Sequence, residues 1–352
     1  MKFFQDHRVF QPLRHGLHDF HTWDFPSSPQ HKTLGVDGEQ TSGTIGNRAW
    51  RILRYTRVTG DRTFLKSGLH GIDALERHRI PRGAQGWECP IAAADILVSG
   101  HAARANLDAY RITGDERYLQ QARYWARTGV AFHYVWNLPD RPLQRYATIP
   151  IFGATFFSHS WRGVPVQWCG LVYAYALLEL AEFDDSLPWI TIARGIVNSA
   201  MLQQMTEGEY IGTLPDSYGD YFLTAHGAYI NPENILTNLH ALEGNNLNIR
   251  TKFVDKIRPD ALRISANADL HIDEPGEILQ FTVISKKGRN TEILLAPIPH
   301  KPKAVMIKHD SPLPEMKQLF GAADGWKYVE EHHAILIHVR HDVEKVEIAV
   351  VP

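Results

Sequence analysis

Residues 82–119 read RGAQGWECP, then IAAADILVSGHAARANLDAYR, then ITGDERYL. The middle segment places Ile96, Leu97, Ala102, Ala105 and Ala109 at spacings that gather them on one face of a helix. The last segment is a turn: Gly114 suits the left-handed residue that ends a helix, and Asp115 is placed to cap a following helix with Tyr118, Leu119, Ala122, Trp125 and Ala126. The stretch is therefore loop, helix, tight turn and helix. Thr59-Gly60-Asp61 with Phe64 and Leu65 repeats Thr113-Gly114-Asp115 with Tyr118 and Leu119 at a spacing of 54 residues. An amphipathic helical hairpin cannot bury its own apolar face alone, so the repeat predicts a stacked array of such hairpins.

Working outward, the glycine-broken loop LGVDGEQTSGT at 34–44 leads into a helix over 45–58. Residues 146–167 form a long apolar and aromatic loop before WCGLVYAYALLELAEF at 168–183, a segment without charge until its end, which must be internal. A turn at 186–189 and an amphipathic helix over 190–205 complete a third hairpin, a second long loop spans 211–232, and 233–242 opens a fourth hairpin. The character changes near Asn245. From Arg263 onward, runs such as ILQFTVISKKG, TEILLAPI, HHAILIHVR and KVEIAVV alternate and are separated by Gly, Pro, Asn and Asp, the pattern of an antiparallel β-sandwich. The expected layout is an irregular arm at 1–32, a helical-hairpin domain at 33–250 and a β-sandwich domain at 251–352.

Composition agrees with a globular protein: 44% hydrophobic and 22% charged residues, with a formal charge of -2. No basic tract points to nucleic acid or an anionic membrane as partner, and no stretch reaches the length of a membrane span. The first 20 residues lack a signal-peptide core, which reads as a cytoplasmic chain or one cut at its beginning. Cys89 and Cys169 read as free buried thiols. His18, His21 and Asp24 read as part of a packed arm, and His332, His333, His338 and His341 as strand-edge polarity, so no metal and no cofactor is expected. Oligomeric state is left open.

The long loops are where a helical scaffold would hold a ligand, since ordinary hairpin connections need only a few residues. Trp87, Trp161, Trp168, Tyr218 and Tyr221 offer flat apolar faces, and Asp37, Glu39, Glu88, Asp216 and Asp220 offer hydrogen-bond acceptors, a mixture suited to sugars. Glycoside hydrolysis needs one protonated and one ionised carboxyl group. Glu88, set among Trp87, Cys89 and Pro90, is the candidate acid or else a helix cap, and Asp216 or Asp37 the candidate base. A polysaccharide lyase would instead draw on His159, Tyr218, Arg162 and Gln167, with Asp220 and His226 as further contacts.

Hairpins with TGD turns, glycine-rich loops before the inner helices and a β-sandwich after them resemble the six-hairpin glycosidase superfamily, the (α/α) toroids of carbohydrate-active enzymes. The resemblance covers about 33–243 and implies acids and sugar-stacking aromatics on loops 34–44, 82–91, 145–168 and 211–232, at one mouth of the toroid. Three full hairpins and part of a fourth stand here against six in a closed toroid, so the expectation is a partial toroid, a C-terminal portion or an open arc. The function expected is a glycoside hydrolase acting on an oligo- or polysaccharide; the alternatives are a lyase and a non-catalytic glycan-binding protein. A helical-repeat interaction protein would leave the long aromatic loops without a purpose.

Overall fold

A computed structural model describes residues 35, 39–59, 63–85, 89–137, 139–140, 145–152, 164–219, 224–243, 249–254, 262–273, 276, 278–307, 311–317 and 323–352. The chain divides into two compact units, one of Met1–Arg54 with Phe64–Asn245, the other of Tyr55–Thr63 with Asn246–Pro352.

The described residues hold seven α-helices: α1 (Ser42–Thr59), α2 (Leu65–Leu75), α3 (Ile96–Thr113), α4 (Glu116–Gly129), α5 (Gln167–Leu180), α6 (Trp189–Leu202) and α7 (Glu233–Leu242). They run as three hairpins and one further helix, in the order the repeat predicts. Gly114 adopts φ +71 at the end of α3 and its N–H donates to the Tyr110 carbonyl, while the Asp115 side chain caps α4 by accepting from the Arg117 N–H. On α4 the buried positions Tyr118, Leu119, Ala122, Trp125 and Ala126 recur at helical spacing. α5 is apolar almost all round and packs against α3, α6 and α7, which fixes it as the most internal helix. Among the described residues, no helix is long and apolar enough to cross a membrane.

One buried face is charged. Glu179 of α5, 1% exposed, receives Arg54 Nη1 of α1 at 2.8 Å and Arg104 Nε of α3 at 2.9 Å, with Arg111 Nη1 at 3.5 Å. Asp108 lies 3.6 Å from Arg54 and 3.7 Å from Arg111, and Glu182 receives Arg111 Nη2 at 2.9 Å. Burial works against the charge on Arg54, but Asp108 and Glu179 outweigh it and hold its pKa above the ordinary value.

The stretch 211–232, expected to be a loop, instead contains an antiparallel hairpin, β1 (Leu214–Gly219) with β2 (Thr224–Ile230). A register shift between Pro215 and Ser217, together with glycines at 219 and 227, hides the two-residue alternation that marks a strand.

The second unit holds β3 (Arg250–Phe253), β4 (Arg263–Ala266), β5 (Asp269–Ile272), β6 (Leu279–Ile284), β7 (Asn290–Ala296), β8 (Ala304–Ile307), β9 (Ser311–Pro312), β10 (Gly325–Val329), β11 (Ala334–Arg340) and β12 (Lys345–Val351). These form two five-stranded antiparallel sheets, ordered β10-β11-β7-β4-β3 and β5-β6-β12-β8-β9. Inward residues of both sheets, Ile264, Leu295 and Ile337 from one and Phe281, Val346 and Ile348 from the other, belong to one apolar cluster. His338 and His341 are buried rather than at a strand edge: His338 Nδ1 lies 3.0 Å from the Ala323 carbonyl and His341 Nε2 lies 2.9 Å from the Thr291 hydroxyl. Burial with a bonded partner is how a polar ring is accommodated inside a sheet.

Candidate functional site

The loops that enter α1, α3, α5 and α7 are tied to one another in sequence order. The Gly43 N–H donates to the Arg82 carbonyl at 2.8 Å, and the Ser42 hydroxyl donates to the Ile80 carbonyl at 2.7 Å. Ile96 N–H reaches the Pro150 carbonyl at 3.0 Å and Phe152 N–H the Ala94 carbonyl at 3.0 Å. Val166 N–H donates to Thr148 O at 2.8 Å, and Tyr218 N–H to Pro165 O at 3.0 Å. A Cβ on Gly43 would stand 2.3 Å from Ala84 N, so only glycine permits the first of these approaches. The four loops expected to carry the site thus form one laced rim at the N-terminal ends of α1, α3 and α5.

Asp95 anchors the rim. Its carboxylate, 1% exposed, accepts the Val98 N–H at 3.0 Å, capping α3, and the Ala84 N–H at 2.8 Å. Burial raises its pKa to about 7 against the pull of these N–H donors. Because the folded pKa lies above the unfolded one, the folded state holds the proton more tightly, and stability declines as pH rises from about 4 to 7. The slope for one such group is at most about 1.4 kcal/mol per pH unit. Asp95→Asn should flatten the dependence of the urea midpoint on pH across that window; an unchanged slope would assign the pH dependence to other groups.

One loop further on, a carboxyl meets an indole. Asp216 of β1 accepts the Trp168 indole N–H at 2.9 Å, and Trp168 is the second residue of α5. Asp216 is half-buried between buried Pro215 and Ser217, and that burial raises its carboxyl pKa while the indole hydrogen bond lowers it. Tyr218 stands two residues along the same strand, and burial followed by Tyr229 raises its phenol pKa. Tyr229 itself stacks on Tyr210 with ring centroids 4.0 Å apart. His226 of β2 lies over Gly219, where a Cβ would meet its Nε2 at 2.5 Å.

The other expected site residues fall into three groups. Glu39 is paired with Arg82 Nη1 at 2.9 Å on the rim. Gln167 has a different task from the ligand contact expected of it: buried, it accepts from Thr148 N–H and Gln203 Nε2 and donates to the Tyr146 and Ile196 carbonyls. Its carboxamide is committed to the protein, and it fixes the start of α5 next to Trp168. Asp37, Trp87, Glu88, His159, Trp161, Arg162 and Asp220 lie outside the described residues, as do His18, His21 and Asp24.

Two exposed aromatics were not singled out in the sequence. Phe152 is 52% exposed beside Ala94 on the rim, and Trp136 is 55% exposed, edge-on to Tyr134. The aromatic alternation Phe132, Tyr134 and Trp136 was the available signal. Among the described residues no group of three His, Cys, Asp or Glu side chains is placed to hold a metal.

No protein-family model matches the chain, and no curated protein is similar to it. Solved structures are. The unsaturated glucuronyl hydrolase of Bacillus sp. GL1 shares 15% identity at a TM-score of 0.43, over 68% of this chain and 66% of that one. A polysaccharide lyase shares 10% identity at a TM-score of 0.42, over 67% of this chain and 64% of the other. A GH127 β-L-arabinofuranosidase from Geobacillus stearothermophilus T6 shares 10% identity at 0.34, over 96% of this chain and 57% of its own. The chain therefore spans just under two thirds of the length of the first two.

Proposed function

We propose that the chain is a carbohydrate-active enzyme, a glycoside hydrolase on an oligo- or polysaccharide, with Asp216 as its proton donor. The helical unit is then a partial (α/α) toroid, domain 33–250, and the two sheets a β-sandwich, domain 251–352. The observation that carries the reading is the Asp216–Trp168 pair: a half-buried carboxyl with a raised pKa, held in one orientation by an indole N–H on a rim of tied loops. A carboxyl whose pKa burial raises suits donation to a glycosidic oxygen better than the base role expected from sequence. The opposing carboxylate is then Glu88 or Asp37, and Trp168, Phe152 and Trp136 supply faces for sugar rings. The raised phenol pKa of Tyr218 counts against a lyase in which it acts as base, because burial disfavours the phenolate.

The test is to incubate the full chain with a panel of glycans and follow two products. New reducing ends without an ultraviolet-absorbing unsaturated sugar support hydrolysis. Unsaturated ends identify a lyase, and neither product from folded protein counts against both. Trp168→Phe adds a sharper check. The indole hydrogen bond favours the ionised carboxyl, so its loss raises the Asp216 pKa further. Since the donor must be protonated, activity falls as pH rises through that pKa, and the basic limb of the variant's profile should move to higher pH. A basic limb that stays in place would remove Asp216 from the donor role.

A further inference from the structure

The face shared by α1, α3 and α5 carries a second cluster, beyond the rim, that the proposed hydrolysis does not use. The Arg104 guanidinium lies over two aromatic rings, 4.4 Å from the Trp50 centroid and 4.7 Å from that of Tyr175. Its Nε is tied to Glu179, while its terminal Nη groups are neither buried nor bonded to an acceptor among the described residues. Arg51, next to Trp50, is exposed and makes no hydrogen bond or ion pair with any described residue. Surrounding protein lowers its pKa, and no carboxylate offsets that effect.

His101 stacks on Trp50, with centroids 5.4 Å apart and planes 7° from parallel, one helical turn before Arg104. Burial first, then Arg104 and Arg51, lowers its pKa to about 3, so it stays neutral and adds no third charge. Its Nδ1 and the Trp50 Nε1 are buried without a partner among the described residues. The wider cluster pairs Arg54, Arg104 and Arg111 with Asp108, Glu179 and Glu182, and Arg51 joins none of these ion pairs. The ion pairs gather at Glu179, and Arg51 stands apart from them.

Planar guanidiniums with free N–H edges are donors matched to an oxyanion, and stacking on Trp50 and Tyr175 fixes the Arg104 plane before any ligand arrives. His101 lies five residues into α3 and Arg51 nine residues into α1, which sets the cluster roughly 8–14 Å along the helices from the rim at 1.5 Å per residue. We infer that this face is an oxyanion subsite for an acidic saccharide, in which Arg51 and the terminal Nη groups of Arg104 bind the carboxylate or sulfate ester of a sugar. The inference rests on the carbohydrate reading and narrows it from glycans in general to charged ones.

Titration calorimetry of the full chain with three oligosaccharides of equal length tests it: an oligogalacturonate, a sulfated galactan fragment and a neutral galactan fragment. The acidic ligand should bind at least about tenfold more tightly than the neutral one, less so at high salt, and the two acidic arms tell carboxylate from sulfate. Arg51→Gln, at an exposed position, and Arg104→Lys, which keeps the charge but not the planar fork, should each remove that preference without changing the melting temperature by more than a few degrees. Equal binding of neutral and acidic ligands overturns the subsite while leaving the carbohydrate reading intact. Acidic binding that survives both substitutions also overturns it. Binding of none of the three overturns the subsite, and turnover on the glycan panel then judges the hydrolase reading separately.

Discussion

Asp216→Asn is expected to lower kcat by about 10²–10⁴-fold, the range for removal of a positioned proton donor, with a smaller change in KM. Asparagine keeps the shape of the side chain and an oxygen to accept the Trp168 indole N–H, so geometry is preserved while the transferable proton is lost. The fall should be measured as reducing-end release on whichever glycan the wild type cleaves, with circular dichroism to show an unchanged fold. The deficit should shrink on an aryl glycoside whose phenolate departs without protonation. An equal deficit on both substrates would return Asp216 to the base role expected from sequence. A loss below roughly threefold would remove it from the chemistry altogether.

Glu179→Gln is expected to cost the helical unit about 3–5 kcal/mol, read from the urea midpoint at constant m. Glutamine fits the space but leaves Arg54, Arg104 and Arg111 around a neutral amide, with Asp108 and Glu182 alone to offset them. Removing one partner of a buried charge cluster is expensive because the remaining ions stay desolvated. Added salt should recover little of the loss, since screening acts weakly on buried pairs. A change under about 1 kcal/mol would mean that water reaches the cluster and that it behaves as a surface ion pair.

What the sequence disclosed follows the range over which each signal acts. The turn at Gly114 was legible because φ +71, the bond to Tyr110 and the cap at Asp115 are settled within a few residues. α7 was placed at its observed bounds and α5 within a few residues, both from apolar patterning. The β1–β2 hairpin was not, since its bulge and glycines break the alternation. Strands β3 and β10 were also missed: each is short and lies outside the strongly apolar runs.

At the site, Trp168 and Asp216 were both named, yet nothing local to either shows that they meet across 48 residues. Gln167 was given a ligand role because its partners come from two distant segments, Tyr146 and Thr148 before it and Ile196 and Gln203 of α6 and its C-terminal cap after it. Asp95 went unnamed because its burial is completed by the approach of residues 84 and 150–152, which its own neighbourhood does not announce.

The charged face also bears on the order in which the helices assemble. The ties between loops of the rim each join a loop to the next one along the chain, so hairpins can dock in turn as synthesis proceeds. Glu179 breaks that rule, because its partner Arg54 precedes it by 125 residues. Until the third hairpin docks, Arg54, Arg104 and Arg111 remain hydrated at little cost, and their dehydration coincides with the arrival of Glu179. An α5 seated one helical turn out of place, about 5.4 Å, would bury the guanidiniums without their shared carboxylate. The cluster therefore proofreads the seating of the most internal helix, a constraint that an apolar surface of the same area, tolerant of sliding, would not impose.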